Sequence, residues 1–271
     1  MSRPNRASGT VASTPSGPTV EEAALRPPGA HLLALESRAP MEAMASLALW
    51  PLLMAGARGD GHSVLVFPGL ATSDITTLML RSFLRQRGWD SHGWNQGLNL
   101  GLRKGVLAAA LAQVHALCET SGRKVSLVGW SLGGIYAREL AKMAPEAVRT
   151  AISLGSPVMP APQASNVRRL YELVSGKEAY QPEVMARMRL PPVVPTTSIF
   201  SRTDGIVAWR ASQQARSQFT ENIEVRSSHS GMGVHPAVLH IVADRLAQPD
   251  GAWQPYRRRG LMRLFQPESS A

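Results

Sequence analysis

Val125 to Val128 form a short apolar run that stops at Gly129-Trp130-Ser131-Leu132-Gly133-Gly134 and passes directly into an apolar-periodic stretch ending near Met143. The run reads as a buried strand and the stretch as a helix, so Ser131 falls on a sharp strand-to-helix turn. Small neighbours are required at such a turn, because the backbone doubles back with little room for side chains. The turn lifts a hydroxyl out of the sheet edge, beside the first free amides of a helix, which is how a nucleophile is displayed. A Gly-x-Ser-x-Gly pattern alone arises easily in chains rich in Gly and Ser, and a serine helix cap with packing glycines is the competing reading. The rest of the chain decides between them.

That rest follows a strand-then-helix rhythm. Ser63 to Phe67 reads as a buried strand, after which Thr72, Ser73 and Asp74 offer cap chemistry to a helix carrying Ile75, Leu78, Met79 and Phe83. Trp89 to Trp94 reads as a further short strand. Val106 to Ser121 is helical, with Leu107, Leu111, Val114 and Leu117 on one face and Gly122 placed to end it. Thr150 to Leu154, Val193 to Phe200 and Asn222 to Arg226 read as strands, and Pro236 to Leu246 as the closing helix. The pattern predicts an α/β fold with a mostly parallel central sheet flanked by helices on both faces. Ligands then belong at the carboxyl ends of the strands, where Leu70, Ser131 and Gly155 fall.

Residues 61–248 are the expected extent of this domain. Residues 29–60 read as a helical segment packed on its core, and residues 1–28, rich in Ser, Thr, Pro, Gly and Ala, as a disordered tail. Residues 158–192 break the alternation and read as a helical insertion over the sheet edge. A lid and an ordinary pair of connecting helices are both open readings of it. Residues 249–271 form a basic tail.

Composition removes several classes of function. The single Cys118, expected to be a buried helix residue, permits no internal disulfide, and no His or Cys cluster has metal-ligand spacing. Gly97, Gly101 and Gly105 do not follow a strand as G-x-G-x-x-G, so neither a metal nor a dinucleotide cofactor is expected. The net charge of +10 is spread along the chain except at Arg257-Arg258-Arg259 with Arg263 nearby. Aromatic residues do not interleave with these cations, so nucleic acid is not an expected partner. Leu261, Met262, Leu264 and Phe265 among the arginines suit peripheral contact with an anionic membrane, and a solvated basic tail is the alternative. Arg3 and Arg6 precede no apolar stretch of signal-peptide length, and Met44 to Ala57 is too short to span a bilayer. The expectation is a cytoplasmic protein, with peripheral membrane contact left open and oligomeric state unspecified.

A serine hydroxyl is a poor nucleophile until a base takes its proton, and that base works best when a carboxylate orients it. Asp204 stands just past one predicted strand and His229 just past the next, so Ser131, Asp204 and His229 occur in the order this arrangement uses. His235 directly precedes Pro236 and better suits a helix cap. His62 precedes its strand, His115 and His240 lie within helices, and His92, in a loop, remains an alternative base. Asp74, Asp90 and Asp244 read as caps or solvated side chains. An oxyanion needs preorganised donors. The backbone N–H of Leu132 opens a helix, and that of Leu70 follows Gly69 in the loop after the Ser63 to Phe67 strand, with Gly69 as the fallback.

At Phe67-Pro68-Gly69-Leu70, Gly129 to Gly134, Gly155-Ser156-Pro157, Asp204-Gly205-Ile206-Val207 and Ser228-His229-Ser230-Gly231, the chain resembles the α/β-hydrolase superfamily, and within it bacterial lipases and esterases. The resemblance spans roughly Gly61 to Gln248. It implies a Ser131, Asp204, His229 triad, Leu70 as an oxyanion donor, and a serine hydrolase acting on a small-molecule or lipid carboxylic ester through an acyl-enzyme. Many such lipases carry His-Gly where this chain has Pro68-Gly69. Acyl transfer, thioester hydrolysis and a non-catalytic relative that binds a hydrophobic ligand are the other functions the fold admits.

Overall fold

The computed structural model describes residues 25–101, 103, 105–158, 164–166 and 190–258. Most of the residues read as an N-terminal tail, as an insertion and as the arginine-rich end of the basic tail therefore lie outside the described residues. Among the described residues one six-stranded sheet runs in the order β2-β1-β3-β4-β5-β6. Its strands are β1 (Ser63–Phe67), β2 (Asp90–Gly93), β3 (Val125–Trp130), β4 (Val148–Leu154), β5 (Thr196–Ser201) and β6 (Thr220–Val225). Every neighbouring pair is parallel. The helices are α1 (Ala30–Ala34), α2 (Ala39–Ala48), α3 (Trp50–Met54), α4 (Leu78–Gln86), α5 (Val106–Ser121), α6 (Leu132–Met143) and α7 (Pro236–Leu246).

Side chains alternate across each strand, and both faces are covered. Val64, Val66, Val128, Ile152 and Leu154 pack with Leu53, Leu80, Phe83, Val238 and Val242 of the flanking helices. Leu65, Phe67, Val125, Leu127 and Ala151 face the other way, toward Val114, Ile135, Tyr136 and Leu140. This is why the strands read as continuous apolar runs. The chain leaves β1 for β2 on one side and returns to place β3 on the other, so the strand order reverses at β1. The crevice at such a reversal is where an open α/β sheet binds ligands.

Three local expectations change. No side chain of Thr72, Ser73 or Asp74 caps the helix, which begins as a 3-10 turn at Asp74–Thr77. Asp74 instead accepts the backbone N–H groups of Trp94 and Asn95 at 3.0 Å each, tying this turn to the end of β2. Cys118 is half-buried rather than buried. In α5, Ala110 and Val114 make the close contact, while Leu107, Leu111 and Leu117 are half-buried, because the smaller residues let the helix approach the sheet.

The N-terminal helical segment packs on the domain, with a 3-10 turn at Leu35–Arg38 between α1 and α2. Leu25 is buried with Ala164, Val207 and Ala211. Within the 158–192 stretch, Ala164, Ser165 and Asn166 lie beside the turn after β5, where Ser165 bridges Val207 and the Asn166 side chain donates to the carbonyl oxygen of Gly205 at 2.7 Å. No helix among the described residues is long and apolar enough to cross a membrane.

Candidate active site

The β3–α6 turn places Ser131 at φ 54° and ψ −122°, a left-handed conformation that a non-glycine residue adopts at a cost of about 1–3 kcal/mol. Its neighbours explain how the turn is tolerated. A Cβ on Gly129 would run into the Gly133 carbonyl, and a Cβ on Gly133 into the Phe67 carbonyl. The two glycines let the start of α6 sit directly against β3 and β1. The Ser131 N–H donates to the Leu154 carbonyl oxygen at 2.8 Å, anchoring the turn to β4. Ser131 is left half-buried at the carboxyl edge of the sheet.

His229 and Asp204 reach the same point from the ends of β6 and β5. His229 Nε2 lies 2.9 Å from Ser131 Oγ, and His229 Nδ1 lies 2.7 Å from Asp204 Oδ2. The other Asp204 oxygen accepts the N–H groups of Ile206 and Val207 at 2.8 Å each, which fixes the carboxylate plane. Trp130 Nε1 donates to the His229 carbonyl oxygen at 3.0 Å. Gly155, at φ 57°, passes beneath the pair, and a Cβ there would sit 3.1 Å from His229 Nδ1 and 3.2 Å from Asp204 Oδ2. Burial works against the His229 imidazolium. The Asp204 charge and hydrogen bond, with the charge of Glu36, outweigh it and hold the histidine pKa above its ordinary value.

The loop after β1 borders the serine, since a Cβ on Gly69 would lie 3.3 Å from Ser131 Cβ. Leu70 is half-buried against the core on the α6 side of the sheet, and its N–H has no hydrogen-bond partner among the described residues. Leu132 is the first residue of α6, so its N–H has no carbonyl one turn earlier in the helix. Asn99 shapes this loop. It is fully buried, its side chain donates to the Pro68 carbonyl oxygen at 2.7 Å, and its backbone pairs with Ala71 and Thr72. The change from His-Gly to Pro68-Gly69 leaves a loop stapled through the Pro68 carbonyl, a group every residue type possesses.

Sequence reasoning did not find Glu36, Arg38 or Glu42. Glu36 Oε1 accepts the N–H of Gly205 at 2.8 Å and of His229 at 2.9 Å, and Oε2 accepts that of Ser230 at 2.8 Å. Burial would raise the Glu36 pKa, but these backbone donors reverse the effect and hold its carboxyl below the usual glutamate value. Glu42 accepts the N–H and hydroxyl of Ser228 at 2.8 and 2.6 Å, while Arg38 bridges Glu42 to Thr203. The one sequence signal was the placement of residues 29–60 as helix on the domain, which says nothing about where the carboxylates point.

The competing histidines have other partners. His235 Nδ1 accepts the Ala237 N–H at 3.2 Å and caps α7. His62 is fully buried between Asp60 and Ser126 at the amino ends of the strands, and His92 pairs with Asp90. No group of three or more His, Cys, Asp or Glu among the described residues is arranged to hold a metal ion.

Comparison with known proteins agrees with this architecture. Among solved structures, the chain is similar in fold to Aspergillus fumigatus lipase B, at 18% identity and a TM-score of 0.54 over 71% of this chain. It spans about half of that lipase, 54% of its length. A monoacylglycerol lipase of Paleococcus ferrophilus matches at 16% identity and a TM-score of 0.50, covering 70% of this chain and 96% of that one. A soluble variant of the Saccharomyces cerevisiae monoglyceride lipase matches at 12% identity and a TM-score of 0.51, over 70% of this chain and 88% of that one. No curated protein sequence matches the chain significantly. The alpha/beta hydrolase family pattern matches residues 48–267, most of the chain and all six strands, and the protein belongs to that family.

Proposed function

We propose that the protein is a serine hydrolase that cleaves a carboxylic ester through an acyl-enzyme, with Ser131 as nucleophile, His229 as general base and Asp204 as its orienting acid. The observation that carries this reading is the unbroken relay from Ser131 Oγ through the His229 ring to Asp204, at 2.9 and 2.7 Å, on a turn that displays the hydroxyl. His229 Nε2 takes the hydroxyl proton as Oγ attacks the ester carbonyl carbon. The imidazolium is steadied by Asp204, and the oxyanion receives the N–H groups of Leu70 and Leu132. Collapse of the intermediate breaks the bond to the alcohol oxygen, which leaves with the proton from His229. Water, deprotonated by the same histidine, then releases the acid and restores Ser131.

An apolar acyl group is the proposed preference. Its support is that several solved structures sharing the fold are lipases, two of them acting on monoglycerides by their names. A fluorophosphonate probe is expected to label the wild-type chain at Ser131, and Ser131→Ala is expected to abolish both labelling and turnover of short p-nitrophenyl esters while keeping the fold. Unchanged turnover in that variant overturns the proposal. Product analysis with competing alcohols separates hydrolysis from acyl transfer.

A further inference from the structure

Both turns that carry the relay's charged partners are tied to one carboxylate from a segment about 170–190 residues earlier in the chain. Resting on the serine-hydrolase reading above, we propose that Glu36 is a positioning residue. It locks the Asp204 turn to the His229 turn and holds the imidazole in register with Ser131. One oxygen joins the two turns, at the residue directly after Asp204 and at His229 itself. The second holds Ser230, so the backbone on both sides of the His229–Ser230 peptide is restrained. The remaining direct ties between the turns are the Asp204–His229 contact and the weaker 3.2 Å bonds from Thr203 Oγ1 to the Ser227 carbonyl oxygen and from the Ser227 N–H to Ser201 Oγ.

Two features separate this arrangement from an ordinary structural carboxylate. Glu36 has no ion-pair partner among the described residues, its donors being backbone N–H groups and the neutral Ser230 side chain, so no paired cation cancels its charge. Gly205 exists for the approach. It does not occupy the left-handed region, and a Cβ there would run into the Leu32 carbonyl, so the glycine lets the N-terminal segment pass close enough for Glu36 to reach in.

The charged groups acting on His229 are Asp204 from the turn after β5 and Glu36 from the 3-10 turn, while the β3–α6 turn contributes only the Ser131 hydroxyl. Arg38, at the end of the same 3-10 turn, and Glu42, in α2, pair with each other and act on His235 at the start of α7. Removing the Glu36 charge therefore leaves Asp204 as the remaining carboxylate acting on the imidazolium.

The test uses the full chain as wild type, Glu36→Gln and Glu36→Asp. Steady-state kinetics on a short p-nitrophenyl ester across pH are combined with an NMR titration of the His229 imidazole, its resonance assigned by loss in His229→Gln. Glu36→Gln is expected to lower kcat about 10–100-fold with KM changed less than about threefold. The acid limb of kcat/KM and the imidazole titration should both move to lower pH. Glu36→Asp keeps the charge but is too short to reach both turns, so it should retain the acid limb and still lose kcat. A folded Glu36→Gln with wild-type kcat, acid limb and titration overturns the proposal, as does a Glu36→Asp enzyme with full kcat should the glutamine variant not fold. If wild type neither turns over ester nor reacts with a fluorophosphonate, the serine-hydrolase reading fails by itself. The titration still decides whether Glu36 acts on His229.

Discussion

Among the described residues, two Ser–His–Asp relays stand at opposite ends of the same strand. One joins Ser131, His229 and Asp204 at the carboxyl edge of the sheet. The other joins Ser126 Oγ to His62 Nε2 at 2.8 Å and His62 Nδ1 to Asp60 at 2.5 Å, five residues back along β3 and roughly 16 Å away. Contact geometry barely separates them, and environment does. Ser126 is buried within β3, without a turn to display it or a helix start beside it. Burial lowers the His62 pKa, and although Asp60 opposes this, Arg149 3.2 Å from Nδ1 lowers it further. Asp60 is shared with Arg123 and Arg149, and its carboxyl is held well below the usual range. His229 has only carboxylates acting on it. Three side chains in hydrogen-bond reach make a packing motif when the hydroxyl is enclosed and a cation adjoins the base. The proposed nucleophile differs in each respect: its hydroxyl lies on a turn, a helix start adjoins it, and carboxylates act on its base.

Exchanging the two histidines tests this contrast most severely. His229→Gln is expected to lower kcat/KM by about 10⁴-fold or more in a chain that still folds. His62→Gln should leave kcat/KM within about threefold and cost about 1–3 kcal/mol of unfolding free energy, because Ser126 and Asp60 lose a buried partner. A folded but inactive His62→Gln would erase the distinction. Gly155→Ala comes next. Its Cβ would sit 2.9 Å from Met232 Sδ as well as against the His229–Asp204 pair, in a left-handed backbone. A loss in kcat of about 10²-fold is expected by steady-state kinetics, since misplacing the base by a few tenths of an ångström spoils proton transfer.

The two relays should also answer pH in opposite senses. On the proposed mechanism activity requires neutral His229, whose pKa is raised, so kcat/KM is expected to climb with pH through a midpoint above the ordinary histidine value. The raised folded value also means that the stability His229 contributes is fully present below its unfolded pKa and fades as pH rises through the folded one. His62, together with His235 and His240, has a lowered pKa, so the unfolded chain binds more protons than the folded one below about 6.5. Their effect is a stability that declines as pH falls below that value. Thermal unfolding between pH 7 and pH 5 should show the net decline, flatter in His62→Gln and steeper in His229→Gln. The smallest effect concerns the basic tail from Arg257 onward. Deleting residues 257–271 is expected to remove salt-sensitive binding to anionic vesicles while leaving turnover of a soluble ester unchanged, and binding that survives deletion rejects the lipid-contact reading of that tail.

Much of the site was legible because it sits in local pattern. Ser131 lies between an apolar run and a helical period, and Asp204 and His229 each follow a strand by a few residues. Glu36 and Glu42 were illegible because an acidic residue on a short helix reads as solvated. Nothing within a window of a dozen residues reveals that its acceptor oxygens meet N–H groups far along the chain. Gly205 was illegible for a related reason: its backbone is not left-handed, and its lack of a side chain serves the passage of Leu32, a residue far earlier in the chain. Asn99, in a glycine-rich connection, likewise gave no hint that it staples the Pro68 carbonyl.

The amino-acid sequence by itself determined the α/β rhythm, the parallel sheet covered on both faces and the identity of the three residues now at the site, because burial periodicity and turn chemistry are local properties. Only the tertiary structure decided which Ser–His–Asp relay is displayed and which is enclosed. It also decided that the N-terminal helical segment braces the acid and base turns. Both depend on how far each group lies from solvent and from charges on distant segments, and those distances exist only after the chain has packed.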